Sequence, residues 1–343
     1  MAYTLKVVNI RKETEDTITL CFKQPALRKI RYKAGQYLTL IFRINGRRYL
    51  RPYSFSSAPV IDPLIEVTVK RVLNGIVSNH IHDQVKIGDA IEVMEPMGDF
   101  IYNPADENVD AIYLWGVGSG ITPLISLTKE ILNLDIKINV NLIYGNKNFD
   151  TTIFSEAIDT LLKEHPKRFK VWHFHTQLAI RESSPFVIEG RISRDYSLHL
   201  LKGVNILKTK HYICGPAGLK ESVKEVLSIL NLPQEHILVE DFELIKDPKD
   251  FEVINTEDIK LKFQGTEYAL EVIKGKSILE AALDAGLELP YSCQTGSCST
   301  CKALCLSGEI KMIGLSKQRN DLKSDEYLLC CSYPLTNNVH IEI

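Results

Sequence analysis

The hydrophobic pattern changes period along the 343-residue chain. Over residues 1–105, short alternating runs recur at 17–22, 37–42, 48–55, 65–72 and 90–94. Turn signals at Gly35, Asn45-Gly46, Asp62-Pro63 and Gly88-Asp89 separate them. Alternation sends successive side chains to opposite faces of a strand, and closely spaced strands with tight turns predict an antiparallel barrel. One short helix is predicted at 76–82. From about Val109 the rhythm becomes strand, helix, strand. Apolar runs at 111–115, 138–144, 171–174, 211–214 and 237–239 alternate with helical patterns at 122–132, 154–164, 196–201 and 217–230. That order predicts an α/β domain with a parallel sheet, whose ligands bind at the carboxyl ends of the strands. Residues 243–257 are charged and aperiodic, contain Pro248, and read as a linker of intermediate stiffness. Beyond them, 259–263 and 268–272 form a predicted hairpin about Gly265. A helix over 277–285 follows, with Ser277 as N-cap and Glu280 three residues on, a capping-box pattern. The predicted domains are 1–105, 106–242 and 258–343, with the linker at 243–257.

Composition narrows the class. The length predicts two or three domains. A net charge of −2 argues against nucleic acid as a main partner. Within 1–105, however, 15 Lys and Arg stand against 10 Asp and Glu, which suits either a solvated basic surface or an anionic ligand. Six of the eight cysteines lie after residue 292, unlike a disulfide framework, which would span the chain. The N-terminal residues show no apolar signal core. The apolar window 111–127 carries Gly116, Gly118, Gly120 and Pro123 in its middle and reads as strand, turn and helix rather than a membrane span. The expected location is the cytoplasm, where thiols stay reduced, and no membrane insertion is expected.

Several clusters carry candidate chemistry. Cys293, Cys298 and Cys301 have the C-x4-C-x2-C spacing of a plant-type [2Fe–2S] site, and Cys331 supplies a fourth thiolate after 29 intervening residues. Structural zinc sites use C-x2–4-C pairs in both halves, which this pattern lacks. Cys331 is preferred to Cys330 on spacing; an extended segment at 327–331 would turn only one of the two toward a cluster. Cys305 reads as a packed spare thiol. Arg51-Pro52-Tyr53-Ser54 combines a guanidinium fork for phosphate, a ring for stacking and a hydroxyl donor; taken in isolation, these residues fit a surface arginine and a core tyrosine better. Gly75 to Ser78 opens a helix whose free N–H groups suit an anion. Gly116, Gly118, Ser119, Gly120, Thr122 and Pro123 lie between a strand and a helix, where glycines admit a pyrophosphate. The spacing is G-x-G-x-G, and the next strand ends in Gly145-Asn146-Lys147 without the acid of the usual dinucleotide fingerprint. Cys214-Gly215-Pro216 repeats the strand-to-helix pattern, and Glu240 and Phe242 close the last strand.

Taken in order, R-P-Y-S, G-x-x-S, G-x-G-S-G-I-T-P, Y-G-N, C-G-P, E-x-F and C-x4-C-x2-C-x29-C resemble the ferredoxin–NADP reductase superfamily. The chain is most similar to members carrying a C-terminal plant-type ferredoxin domain: reductase components of multicomponent oxygenases, of the phenylacetyl-CoA epoxidase and ketosteroid hydroxylase types. The resemblance covers nearly the whole chain. It implies an antiparallel β-barrel FAD domain, an α/β parallel-sheet NAD(P) domain and an α+β, β-grasp ferredoxin domain. Arg51 and Pro52 would serve the flavin phosphates, Tyr53 would pack on the isoalloxazine, and Ser54 would lie near its N5. Gly75, Val77 and Ser78 would bind the FAD pyrophosphate. Gly116, Gly118, Ser119 and Gly120 would cradle the nicotinamide cofactor, and Thr122, Cys214, Gly215 and Pro216 would lie by its ring. Glu240 and Phe242 would close the flavin site. Asn146 and Lys147 would meet the nucleotide, Lys147 tilting the choice to NADPH over NADH. The catalytic set so implied is Ser54, Thr122 and Cys214. The implied function is NAD(P)H-dependent electron transfer through FAD and a [2Fe–2S] cluster to a partner oxygenase or hydroxylase. Reduction of a soluble carrier or small acceptor, or a non-catalytic redox relay, are the alternatives.

Overall fold

The computed structural model describes residues 2–25, 29–104, 109–134, 136–177, 186–315 and 317–343. The predicted domain boundary at 105/106 lies outside the described residues. The chain divides into two compact units, one of residues 1–40 and 53–240, the other of 41–52 and 241–343.

Strands β1 (Ala2–Thr14), β2 (Thr17–Lys23), β3 (Tyr37–Ile44), β4 (Arg47–Ser54), β5 (Ile65–Lys70) and β6 (Ala90–Met94), with helix α1 (Ile76–Gln84), make up the first hundred residues. The sheet order is β4-β3-β6-β1-β2-β5. β1 runs antiparallel to β2 and β6, and β2 antiparallel to β5. Phe55, directly after β4, bridges Val67 of β5, so the two outermost strands meet and the sheet closes. Closure removes exposed strand edges and gives a barrel. Its fully buried interior includes Leu5, Val7, Leu20, Phe22, Leu38, Phe55 and Val67. β1 escapes the run of predicted strands because Lys6, Arg11, Lys12 and Glu13 dilute its apolar signal. Only Leu5 and Val7 are buried apolar residues within that charged sequence, among the described side chains.

The parallel sheet follows, from β7 (Ala111–Val117), β8 (Asn139–Asn146), β9 (Phe169–His175), β10 (Val187–Glu189), β11 (Thr209–Cys214) and β12 (Ile237–Glu240). Helices α2 (Ile121–Asn133), α3 (Ser155–Glu164), α4 (Arg194–Leu200) and α5 (Ala217–Ile229) connect them. The order β10-β9-β8-β7-β11-β12 reverses at β7. Every neighbouring pair is parallel. β7 is covered on both faces: Ile112 and Leu114 pack with Leu124 and Ile125 of α2, and Tyr113 and Trp115 with Val223 and Val226 of α5. Double coverage explains why this strand reads as a continuous apolar run. The crevice beyond the carboxyl ends of β7 and β11 is the topological switch point, where such sheets bind ligands. Ser126 and Lys129 of α2 tie this layer to the barrel, donating to the Ser57 carbonyl at 2.6 Å and to Asp62 Oδ2 at 2.9 Å.

The second unit holds a mixed sheet from β13 (Glu257–Phe263), β14 (Thr266–Val272), β15 (Lys302–Ser307), β17 (Glu326–Leu328) and β19 (His340–Glu342), in the order β14-β13-β19-β15-β17. β16 (Ile310–Met312) and β18 (Ser332–Pro334) pair separately. Helix α6 (Ile278–Asp284) starts as the capping-box pattern predicts: the Glu280 N–H donates to Ser277 Oγ at 3.2 Å, and the Ser277 N–H to Glu280 Oε2 at 2.7 Å. Residues 243–257 carry structure of their own. Pro248–Phe251 form a 3-10 turn, and Ile254 is buried against Ile313 and Tyr333. Among the described residues, no helix is long and apolar enough to cross a membrane.

Candidate functional site

At the switch point, two glycines let backbones approach. A Cβ on Gly120 would stand 2.0 Å from the Cys214 carbonyl oxygen, and one on Gly215 3.3 Å from the Val117 nitrogen. Gly118 adopts φ +54° with open space around it. Its carbonyl accepts from the Tyr144 hydroxyl at 3.0 Å, and the Ser119 carbonyl from Thr122 Oγ1 at 3.0 Å. Cys214 pairs in register with Gly116 on one side and Glu240 on the other. Gly116, Gly118, Ser119, Gly120, Thr122, Cys214 and Gly215 are thus brought to one edge, with Pro216 as N-cap of α5 and Glu240 ending β12. Phe242 is 46 % exposed and belongs to the second unit.

Asn146 ends β8, and its buried Nδ2 meets no hydrogen-bond geometry among the described residues. Lys147 is exposed beside it. Sequence reasoning missed what shares this edge: His173 and His175, on one face of β9, packed around Phe149 with ring centroids 5.4 and 4.5 Å away. Burial, then the neighbouring His175, pushes His173 down to about 4, so it is neutral at pH 7. A His-x-His at a strand end was the available signal.

In β4, Arg51 donates from Nη1 to the Leu50 carbonyl at 2.8 Å, its guanidinium 5.9 Å from the Tyr49 ring centroid. No acid pairs with it among the described residues. Pro52 and Tyr53 are half-buried; Ser54 is buried. Gly75 caps α1, and a Cβ there would stand 2.5 Å from Ser78 Oγ. That oxygen accepts from the Val72 N–H at 3.1 Å, folding the loop onto the helix start, with Val77 buried behind it.

The cysteine loop is built around Cys293. Its sulfur accepts from the Cys298 N–H at 3.3 Å and the Thr295 N–H at 3.5 Å. Hydrogen bonds from the Cys298 and Cys330 thiols, together with these N–H groups, outweigh burial and hold Cys293 far below the usual thiol range. Gln294 and Gly296 take left-handed φ of +58° and +72°, which curls the loop. A Cβ on Gly296 would stand 2.2 Å from Leu315 Cδ2 and 3.5 Å from Cys331 Sγ. Residues 329–331 form a 3-10 turn rather than an extended strand. The expected separation of Cys330 and Cys331 onto opposite faces therefore does not occur. Both thiols turn inward: Cys330 is 5 % exposed and in contact with Cys293, Cys301 and Cys331, while Cys331 is fully buried and donates to the Leu328 carbonyl at 3.3 Å. Cys305 points elsewhere, donating to the Ser307 carbonyl at 3.2 Å.

No group of three or more His, Cys, Asp or Glu side chains among the described residues is placed to hold a single ion. The thiols instead form one connected group, Cys298 on Cys293 and Cys330 on Cys293, Cys301 and Cys331. A set of soft sulfur donors with N–H groups on one sulfur suits an iron–sulfur site. The segment 41–52 shares the unit with this loop. The Leu50 N–H donates to Tyr291 Oη at 3.1 Å, and Gln294 Nε2 to the Leu50 carbonyl at 3.2 Å.

Comparison with known proteins gives the same three parts. Residues 4–102 match the oxidoreductase FAD-binding domain, 114–225 the oxidoreductase NAD-binding domain, and 261–335 the 2Fe-2S iron-sulfur cluster binding domain. The ferredoxin reductase component of 3-ketosteroid-9-alpha-monooxygenase from Mycolicibacterium smegmatis is 31 % identical, over 98 % of this chain and 96 % of that protein. The chain belongs to the ferredoxin reductase components of oxygenases. One component of the Escherichia coli 1,2-phenylacetyl-CoA epoxidase is 28 % identical over 99 % of this chain and 97 % of its own length. The solved phthalate dioxygenase reductase shares the fold, with a TM-score of 0.69 and 24 % identity across 100 % of this chain and 98 % of its own. The chain is an oxidoreductase with FAD, NAD(P) and [2Fe–2S] domains.

Proposed function

We propose that this chain takes electrons from NAD(P)H at the switch point and passes them one at a time, through flavin and the cysteine loop, to a terminal oxygenase or hydroxylase. The observation that carries the reading is the gathering of five thiols around one loop, on a chain that also holds a glycine-lined parallel-sheet edge. The names of the relatives, reductase components of monooxygenases and a component of an epoxidase, support the acceptor class.

Each residue has a physical task. Arg51, lacking an acidic partner, supplies fixed positive charge to phosphates; Tyr53 offers a stacking face; Ser54 offers a buried hydroxyl to a ring heteroatom. Pro52 holds the strand between them. Gly75, Val77 and Ser78 shape a helix start that favours a second phosphate, hence FAD. Gly116, Gly118, Ser119 and Gly120 leave room for the nucleotide pyrophosphate, and Thr122, Cys214, Gly215 and Pro216 line the nicotinamide side. Glu240 and Phe242 close the flavin site. Asn146 offers its Nδ2 to the nucleotide, and Lys147, with no acid at the end of β8, favours the 2′-phosphate of NADPH. Cys293, Cys298, Cys301 and Cys331 ligate the cluster, with Cys330 as an adjacent fifth thiol. Bound flavin supplies the exchange between two-electron and one-electron transfer. The domains run 1–105, 106–242 and 258–343, joined through 243–257, and the reduced thiols suit the cytoplasm.

Cys298→Ser tests the division of labour. The variant should lose the cluster's visible absorbance while keeping NAD(P)H-dependent reduction of a two-electron dye. Loss of flavin reduction in a folded, flavin-loaded variant would overturn the modular reading.

A further inference from the structure

Arg319, in the loop between β16 and β17, closes over the cysteine loop. Its side chain is 12 % exposed. Nη1 donates to the carbonyls of Gly296 at 2.6 Å and Cys298 at 3.3 Å. Nη2 donates to Ser299 Oγ at 2.8 Å and Asp321 Oδ2 at 2.8 Å, and Nε to Asp321 Oδ1 at 2.8 Å. A guanidinium has five N–H donors, and all five are used. Three go to the loop that carries the cluster thiols and two to one carboxylate. The cation is therefore fixed in place against the backbone of the segment that carries Cys298. Asp321, 59 % exposed at its side chain, stands on the solvent side of the pair.

A fixed cation beside an iron–sulfur site has a definite consequence. One-electron reduction adds one negative charge to the thiolate-held group, and a nearby positive charge favours it. We propose that the Arg319–Asp321 pair sets the reduction potential of this centre, with Arg319 raising it and Asp321 moderating that effect. The proposal rests on the cluster assignment above; the electron is the one supplied by NAD(P)H. Arg319 acts as a positioning and charge-setting residue, not a catalytic one.

The test is potentiometric titration of the full-length, cluster-loaded protein, followed by electron paramagnetic resonance. Arg319→Gln should lower the reduced-to-oxidised ratio at fixed potential by about tenfold, equal to about 59 mV for one electron. Asp321→Asn, which leaves the cation without its carboxylate, should move the ratio the other way. Arg319→Lys keeps the charge and should stay near wild type. A purely structural clasp would loosen in both Arg319→Gln and Asp321→Asn and shift them in the same direction. A same-direction shift, or no shift in either, overturns the proposal. If Arg319→Gln fails to hold iron, the upward shift in Asp321→Asn still decides. Absence of iron and visible absorbance from the wild type would instead remove the cluster assignment itself.

Discussion

Gly120→Ala and Gly218→Ala add the same methyl group at the starts of two strand-to-helix turns, and they should behave oppositely. At Gly120 the new Cβ would lie 2.0 Å from the Cys214 carbonyl oxygen and 3.2 Å from the Gly215 nitrogen, where ordinary contact begins at 3.4 Å. Both obstacles are backbone, so the start of α2 and the end of β11 must part by about 1.4 Å. Overpacking of this kind costs about 1–3 kcal/mol, and rigid backbone on both sides places it toward the upper end. A displacement on the order of 1 Å at a reacting geometry slows chemistry by about a hundredfold. Gly218 lies in the first turn of α5 with nothing within 4 Å of its Cβ position. Alanine there should be neutral or stabilise by up to about 1 kcal/mol through helix propensity. Stopped-flow absorbance at the flavin band, with NAD(P)H in excess, reads the first effect; thermal unfolding reads both. Gly120→Ala should reduce its flavin about a hundredfold more slowly and unfold earlier, with Gly218→Ala matching wild type in rate. Normal flavin reduction in a folded Gly120→Ala protein would refute the close approach of these strand ends as the basis of the nucleotide site.

Three further outcomes are expected. Cys331→Ala should lose most bound iron if spacing governs ligation, whereas Cys330→Ala should retain it with an altered spectrum; iron content and electron paramagnetic resonance of the purified variants decide, and the reverse pattern would reassign the fourth ligand to Cys330. Lys147→Asp should move the kcat/KM preference from NADPH toward NADH by about tenfold or more, and an unchanged ratio would remove Lys147 from nucleotide selection. His211 is fully buried, accepting from Trp115 Nε1 at 3.0 Å and bonded to Thr209 Oγ1 at 2.9 Å, and burial, then His236, pushes it down to about 3. The unfolded chain takes up this proton below about 6.5 while the folded one refuses it. Stability is thus full above that pH and falls toward pH 3, by up to about 1.4 kcal/mol per unit. Denaturant unfolding at pH 7 and pH 5 should show a smaller acid loss in His211→Gln; equal losses would contradict the assignment. His173 contributes its own slope in both proteins.

What was readable in the sequence follows from how local each signal is. The strand-to-helix turns at Gly116–Gly120 and Cys214–Pro216 are set by adjacent residues, and their edge position follows from the strand-helix rhythm alone. The Ser277–Glu280 box is local in the same way. β1 was not readable, because its charged residues mask two buried positions. The turn at 329–331 depends on packing against the cysteine loop, where the Leu329 N–H donates to the Cys301 carbonyl at 3.0 Å. No periodicity reports such a contact, so the extended backbone expected there, which would have set Cys330 aside, does not form. Arg319 is further still from view. It reads as one cation in a polar stretch, and only the fold brings its donors to Gly296 and Cys298.

Anaerobic addition of NAD(P)H to the full-length protein, monitored by visible absorbance and electron paramagnetic resonance together, tests the electron route most directly. In the wild type the flavin band should bleach and a reduced [2Fe–2S] signal should then develop, while Cys298→Ser shows the bleaching alone. Bleaching in the wild type with the cluster remaining oxidised would contradict the passage of electrons from NAD(P)H to the cysteine loop.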